Sequence, residues 1–374
     1  MGARRVIIVG AGPAGSAAAL ALGRRRDVEV MLLDSATFPR DKICAGGLSR
    51  NAQGVLESLG MLEIVLAEAN AAQRLRLVGP GGEEWSLGRT RSVVLPRVRF
   101  DHLMVQGAVR AGASLREGVR VKGLLREGHR VRGIASSEGD LEADAVIVAA
   151  GVLACGSGQR ASTERGLSPS VARARRFLAV ERRYEGWDFD PGAMEMIYAT
   201  ELLPGYGWVF PESRQRANVG VCVDEHHPKA HTLHRVLEAF LEEHLGERLR
   251  GASPVDNVRG QPIAWRASVP ELEEPGAMWV GEAAGLTSAA TGEGIWHALV
   301  SARAAAETLG AAFDRGEPAA LGAYRRRCAR ALALPLFSAA AFSHAASSTL
   351  FPAALRLLGS GLGGRLSTAV LERL

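Results

Sequence analysis

Near the N-terminus, short runs of branched apolar residues alternate with one alanine-rich stretch. Arg5 to Gly10, RVIIVG, has the unbroken hydrophobicity of a strand covered on both faces in a parallel sheet. AGPAGSAAALALGRR follows as a helix, and VEVMLLD as a second buried strand ending in Asp34, which makes a βαβ unit. Between Leu115 and Gly151 the pattern becomes alternating, with Glu-Gly turns. It predicts a small antiparallel meander whose last apolar run, AVIVAA, returns to the parallel sheet. From about Phe177 to Ile263, FLAVERRY, GWVFP and NVGVCV read as strands around one amphipathic helix from Thr232 to Leu245. From Trp296 onward the pattern is helical.

The chain has 374 residues, more than one compact domain usually holds, and no repeat or low-complexity linker, so two lobes woven from interleaved segments are expected. Apolar residues make up 47% and charged residues 23%, which excludes a disordered or fibrous protein. The formal charge of +5 rests on scattered arginines, with Lys42, Lys122 and Lys229 the lysines. Without a basic stripe interleaved with aromatics, a nucleic-acid partner is not expected, whereas the charge leaves a mild attraction to an anionic membrane surface open. Cys44, Cys155, Cys222 and Cys328 lie far apart with no CxxC pair, which argues against a disulfide framework or a zinc site and for a reduced, cytoplasmic protein. Cys155 reads as structural. His226, His227, His231 and His234 crowd a loop-to-helix junction without metal-ligand spacing, and no metal is expected. Ala331 to Leu355 carries no charge except at His344. Pro335 and Pro352 argue against a membrane span, leaving a helical lid, an interfacial membrane contact or a partner surface, with the lid favoured.

GAGPAG, Gly10 to Gly15, is a G-x-G-x-x-G turn between strand and helix. Gly10 permits the tight turn, Gly12 lets a pyrophosphate approach the backbone, and Gly15 lets helix and strand pack closely. The helix N-terminus beside Ala14 supplies N–H groups. Asp34, at the end of the second strand, can accept hydrogen bonds from a ribose. Together these predict a bound dinucleotide.

Ala277 to Leu309 then gives a strand, a glycine-bearing turn, and a Gly-Glu-Gly turn that opens a long helix. Backbone N–H groups at such a helix start can face the electron-rich edge of a reduced flavin. GEAAG at 281–285 with TGEGI at 291–295 resembles the GDAAG and G-x-G-I motif of FAD-dependent oxidoreductases related to para-hydroxybenzoate hydroxylase. The resemblance implies FAD, with cofactor contacts at Gly281, Glu282, Gly285, Gly292, Gly294 and Ile295, and at Val121. Glu282 stands where that group has aspartate, and Ala289 where it has proline. LPRVRFDHLM at 95–104 resembles the group's R-x-x-F-D-x-L element, which puts Arg97 near the FAD and makes Asp101 a helix-capping acid.

FPRDKICAGGLS, through Lys42, Cys44, Ala45, Gly46 and Gly47, resembles the P-x-x-K-x-C-G-G-G element of the geranylgeranyl reductase family, which passes along the flavin ring. Side chains there would block the face at which a substrate must arrive. Cys44 could serve as a small polarizable wall, as a weak proton donor, or as a thiolate favoured by Lys42 and nearby arginines. LPGYGWVFP followed by NVGVCV resembles the same family's aromatic strand pair, and Tyr206, Trp208 and Phe210 share one face by the strand period.

The expected fold is therefore α/β: a Rossmann-like FAD-binding domain interleaved with a mixed, antiparallel β-sheet substrate domain, plus C-terminal helices. The expected division gives the FAD-binding domain residues 1–70, 96–165 and 266–310, the substrate domain 71–95 and 166–265, and the helical region 311–374. The implied function is FAD-dependent reduction of a carbon–carbon double bond in a hydrophobic, prenylated substrate by hydride from flavin N5, with Cys44, Tyr206 and Trp208 as catalytic candidates. A monooxygenase that hydroxylates or epoxidises an aromatic or prenylated metabolite is the alternative. A non-redox cyclase and a halogenase rank below both, and none of the three lysines suits hypohalous acid capture. Ala150 stands where the group has aspartate, so electrons are expected from loosely held NAD(P)H or from a separate reductase.

Overall fold

The protein is described by a computed structural model covering residues 3–87, 90–152, 174–317 and 321–348. Cys155 and the segment beyond residue 348 lie outside the described residues.

The apolar runs at the N-terminus form the middle of a six-stranded sheet. Its order is 273–274, 277–279, 145–148, 4–9, 28–33, 114–116, parallel except at the 273–274 edge. Val6, Ile7 and Ile8 are fully buried, as a strand sandwiched by helices requires. The helix Pro13–Gly23 is alanine-rich because it is covered nearly all round, packing against Ile295–Asp314 and Arg97–Arg110. The meander forms a separate three-stranded sheet, 121–127, 130–136 and 139–142.

A second sheet, of eight strands, holds residues 74–78, 84–87, 175–185, 193–197, 206–211, 216–224, 253–254 and 259–265. Residues opposite one another in paired strands point to the same face. Glu181 and Trp208 both stand opposite Gly220, Met196 stands opposite Trp208, and Leu77 stands opposite Met196. One face thus carries Leu75, Leu77, Met194, Met196, Tyr206, Trp208, Phe210, Ala179 and Glu181. Val180, Val209, Val219 and Val221 point the other way, where the helix Leu233–Leu245 covers them with Val236, Leu237 and Phe240. Burying each such large apolar side chain contributes about 1.5–3 kcal/mol, so this back face is the lobe's core and the front face is free to line a cavity.

The last described helix, Ala323–Ala346, continues through Pro335. Tyr324 Oη donates to the Trp279 carbonyl at 2.7 Å, which ties its start to the parallel sheet. Its far end reaches the aromatic face, where Phe342 meets Tyr198 edge-on at 6.0 Å. On its outer side Leu334 is 75% and Phe337 65% exposed. Among the described residues, no helix is long and apolar enough to cross a membrane.

Candidate active site

A cavity of about 690 Å³ lies between the parallel sheet and the front face of the second sheet. At one end is the 10–15 turn. Gly10 has a φ of +98°, and a β-carbon there would sit 2.5 Å from the Ala149 carbonyl oxygen. At Gly15 a β-carbon would approach the Gly10 oxygen to 1.8 Å, so this glycine permits the helix to start close to the strand and does not itself line the cavity. The helix N-terminus has no side-chain cap and no acid in its first turn, which leaves its amides free for an anion.

Beside that turn runs a chain of ion pairs. Asp34 accepts from the Ala11 amide at 2.8 Å and from the Ala36 amide at 2.9 Å. Arg40 lies 3.6 Å from Asp34 and 3.0 Å from Asp101. Arg97 forks onto Asp101 through Nε at 2.6 Å and Nη2 at 2.8 Å. Asp101 is therefore not the cap expected from sequence. The helix Arg97–Arg110 begins at Pro96 without a side-chain cap, and Asp101, one turn in, orients two arginines instead. A β-carbon at Gly12 would meet only Arg40 Nη2 at 3.6 Å and Arg97 Nη2 at 3.8 Å, so both guanidiniums stand at the mouth of the turn. Free helix amides and two guanidiniums on one concavity fit a pyrophosphate.

Further along, Lys42 Nζ bonds Glu282 Oε2 at 3.0 Å. Lys42 is thus committed to Glu282, and the cation that interacts with the Cys44 thiol is Arg97. Gly281 and Gly285 do not line the cavity. Their positive φ angles, +59° and +70°, shape the turn that presents Glu282. The segment 44–47 forms a wall: Gly46 has a φ of +77° with the Leu95 carbonyl beneath it, and the Cys44 sulfur accepts weakly from the Gly46 amide at 3.5 Å. Ala14, Asp34, Ala45, Gly47, Val121, Gly292, Gly294 and Ile295 line the same cavity.

Opposite stand the aromatics. The Tyr206 hydroxyl donates to the Thr291 carbonyl, which joins the aromatic strand to the 291–295 turn. Trp208 Nε1 donates to Asn218 Oδ1 at 2.8 Å, and its indole occupies the space above Gly220, where a β-carbon would lie 2.2 Å away. Tyr198, Met194 and Met196 complete an apolar wall that sequence reasoning missed, although MEMIY carries the period-two signal for it.

Two carboxyl groups on the lining were also missed. Glu293 is buried deeply enough to push its carboxyl above the ordinary range, and its Oε1 has no partner among the described residues. Glu181, 1% exposed, is the acid on the front face, on the strand next to one edge of the sheet. Burial pushes it up to about 7, against the lowering pull of Arg183 and Arg259. Elsewhere, the ligand-type groups that converge within 4.8 Å among the described residues are Glu201, Glu243 and His244, none of which lines the cavity.

Comparison with known proteins settles what this architecture is. Residues 3–334 match the family described as FAD binding domain. This chain belongs to that family. It is a flavoprotein oxidoreductase whose relatives include digeranylgeranylglycerophospholipid reductase 2 of Methanopyrus kandleri, 31% identical over 84% of this chain and 79% of the relative. Another is the menaquinone reductase of Mycolicibacterium smegmatis, 29% identical over 95% of this chain and 91% of the relative. Among solved structures, a geranylgeranyl bacteriochlorophyll reductase-like protein of Thermoplasma acidophilum superposes with a TM-score of 0.84 at 23% identity, covering 98% of this chain and 96% of that one. The geranylgeranyl reductase resemblance carried by KICAGGLS and YGWVFP is thereby supported in sequence over 84% of the chain, and the fold over nearly all of it.

Proposed function

We propose that the flavoprotein reduces carbon–carbon double bonds in a hydrophobic prenylated substrate, a polyprenyl lipid or quinone. The observation that carries this reading is one continuous cavity in which the anion cradle at 10–15 opens, past the bare segment 44–47, onto a wall of Tyr198, Tyr206, Trp208, Met194 and Met196. A polar end for a dinucleotide and an apolar end for a long chain suit FAD at one and an isoprenoid at the other. The names of the relatives at 31% and 29% identity point to the same substrate class.

In this reading Gly10, Gly12, Ala14 and Gly15 form the pyrophosphate turn, Arg40 and Arg97 neutralise its charge, and Asp34 holds the ribose. Glu282, fixed by Lys42, takes the ribityl region, with Gly281 and Gly285 shaping its turn. Val121 lies on the wall of the cofactor end. The amides of 292–295 and the backbone of 44–47 flank the ring. When bound and reduced, FAD supplies a hydride at N5. The chain's own residues do the rest: Cys44, Ala45, Gly46 and Gly47 leave the ring face bare, while Tyr206 and Trp208 hold the olefin against it and keep water out. The electrons come from NAD(P)H or a separate reductase. Ala150 lines the cavity where a carboxylate could have helped to hold a nicotinamide, which favours a loosely docked donor. The exposed Leu334 and Phe337, on the helix whose Phe342 lines the cavity, suit a peripheral membrane contact.

The test is anaerobic incubation of the reduced holoprotein with a digeranylgeranylglycerophospholipid and with a menaquinone, with product mass as the readout. Two hydrogens added per double bond without oxygen support the reading. Product formed only with oxygen, and carrying an oxygen atom, overturns it in favour of a monooxygenase.

A further inference from the structure

We infer that Glu181 is the proton donor to the substrate double bond. The inference rests on the reductive reading above, and the sequence motifs did not include this residue.

On the cavity side of the second sheet, Glu181 stands where the apolar residues of 193–197 and 206–211 give way to the polar group of Arg183, Asn218 and Arg259 near one edge. The strand register places it opposite Gly220, over which the Trp208 indole lies, so the carboxyl and the indole are neighbours on the same face. From the other side, the Cys44 amide donates to Glu181 Oε1 at 3.3 Å. The carboxyl therefore stands where the bare segment 44–47 and the aromatic wall meet, with both Glu181 and Cys44 lining the cavity. An olefin held between these walls has Glu181 within reach.

The surroundings hold this acid in balance. Arg259 Nη2 lies 3.5 Å from Oε1, but Arg259 also bonds Asp41 at 2.6 Å and lies 3.4 Å from Asp256. Arg183, two residues along the same strand, is divided among Asp41, Glu212 and Asp256 at 3.2, 2.7 and 2.9 Å. The Asn218 side chain and the Cys44 backbone amide, neither of which is a charged group, add smaller lowering effects. Both cations are thus largely neutralised by other acids, and a carboxyl in an apolar cavity near neutrality is poised to give up a proton and recover it.

The step balances. One alkene carbon takes the hydride from the reduced flavin, and the other takes the proton from Glu181. The carboxyl O–H bond breaks, two C–H bonds form at the expense of the π bond, the alkene is reduced by two electrons and the flavin is oxidised. The Glu181 carboxylate then takes a proton from water.

Three variants of the holoprotein test the assignment in anaerobic single turnovers with a digeranylgeranylglycerophospholipid or a menaquinone, whichever the wild type reduces. Glu181→Gln keeps an oxygen to accept from the Cys44 amide, so a purely structural Glu181 would tolerate it. A proton donor would not, and the rate should fall by about 10²–10⁴-fold. Glu181→Asp, which retracts the acid by one methylene, should recover part of that loss. Cys44→Ala separates the thiol from the carboxyl as the source of the proton. The donor is active when protonated, so wild-type and Cys44→Ala rates should fall as pH rises through about 7. This limb should be absent in Glu181→Gln.

A readout independent of turnover is the infrared band of the protonated carboxyl in flavin-free and FAD-loaded protein. It should titrate near neutrality and vanish in Glu181→Gln. Wild-type rates and an unchanged pH limb in Glu181→Gln, or loss of the limb in Cys44→Ala alone, would overturn the assignment while leaving the reductase reading intact. Failure of the wild type to reduce either substrate would overturn both.

Discussion

The ion chain beside the glycine turn makes a quantitative prediction at Arg97. Its guanidinium is 4% exposed and forks onto Asp101, which is fully buried, through bonds of 2.6 and 2.8 Å. Replacing Arg97 with Met removes one partner and leaves the carboxylate with Arg40 alone at 3.0 Å. Breaking a buried pair from one side costs about 3–5 kcal/mol, because the orphaned charge remains out of water. The surviving Arg40 bond places the expected loss near the lower end, about 3 kcal/mol. Urea unfolding of flavin-free protein, followed by circular dichroism, isolates this term from cofactor binding. Because the cost is that of an unpaired charge, Arg97→Met/Asp101→Leu should regain most of the stability, to within about 1 kcal/mol of wild type. A single variant within about 1 kcal/mol of wild type, or a double variant no better than the single, would refute the reasoning.

Other positions give independent checks. Asp34→Ala deletes the acceptor of the Ala11 and Ala36 amides and the proposed ribose partner. It should weaken FAD binding by about 10–100-fold, the loss of one or two charge-assisted hydrogen bonds, as read by flavin fluorescence titration. Gly220→Val would drive a β-carbon to 2.2 Å from the Trp208 ring, displacing the indole into the cavity; a stability loss of about 1–3 kcal/mol should accompany weaker binding of long prenyl chains. His297 is buried, neither ring nitrogen has a partner among the described residues, and burial lowers its pKa from 6.5 to about 4. The unfolded chain therefore binds a proton that the folded chain refuses: stability is intact above pH 6.5 and falls as pH drops toward 4, by about 3 kcal/mol in all. His297→Leu should remove this component from the pH dependence of the unfolding midpoint.

Much of the architecture was legible in the chain because its signals are local. RVIIVG and VEVMLLD are strands by composition, and the glycine turn lies between strand and helix within a few residues. KICAGGLS and YGWVFP were also legible, since backbone bareness and a period-two aromatic face are written in consecutive residues. What the sequence withheld depends on long-range register. Glu181 lies in FLAVERRY among other charged residues, and only pairing with residues 216–224 and 259–265 turns it inward while Arg182 faces away. Asp101 looked like a cap because it stands near a helix start. Its role follows from Arg40, sixty-one residues earlier in the chain, which no local pattern reveals. Sequence distance makes Lys42 a neighbour of Cys44, whereas the fold directs it to Glu282, 240 residues away.

In the proposed reaction one cavity joins reduced FAD to a prenyl double bond. Rapid mixing of the anaerobically reduced holoprotein with a digeranylgeranylglycerophospholipid, with its fully saturated counterpart as control, tests it most directly. Oxidised-flavin absorbance should return with the unsaturated lipid alone, and in deuterated water, where the flavin N5 hydrogen and the donated proton both exchange with solvent, two deuteriums should be fixed per double bond reduced. Flavin that stays reduced with both lipids and reoxidises only when oxygen is admitted would contradict it.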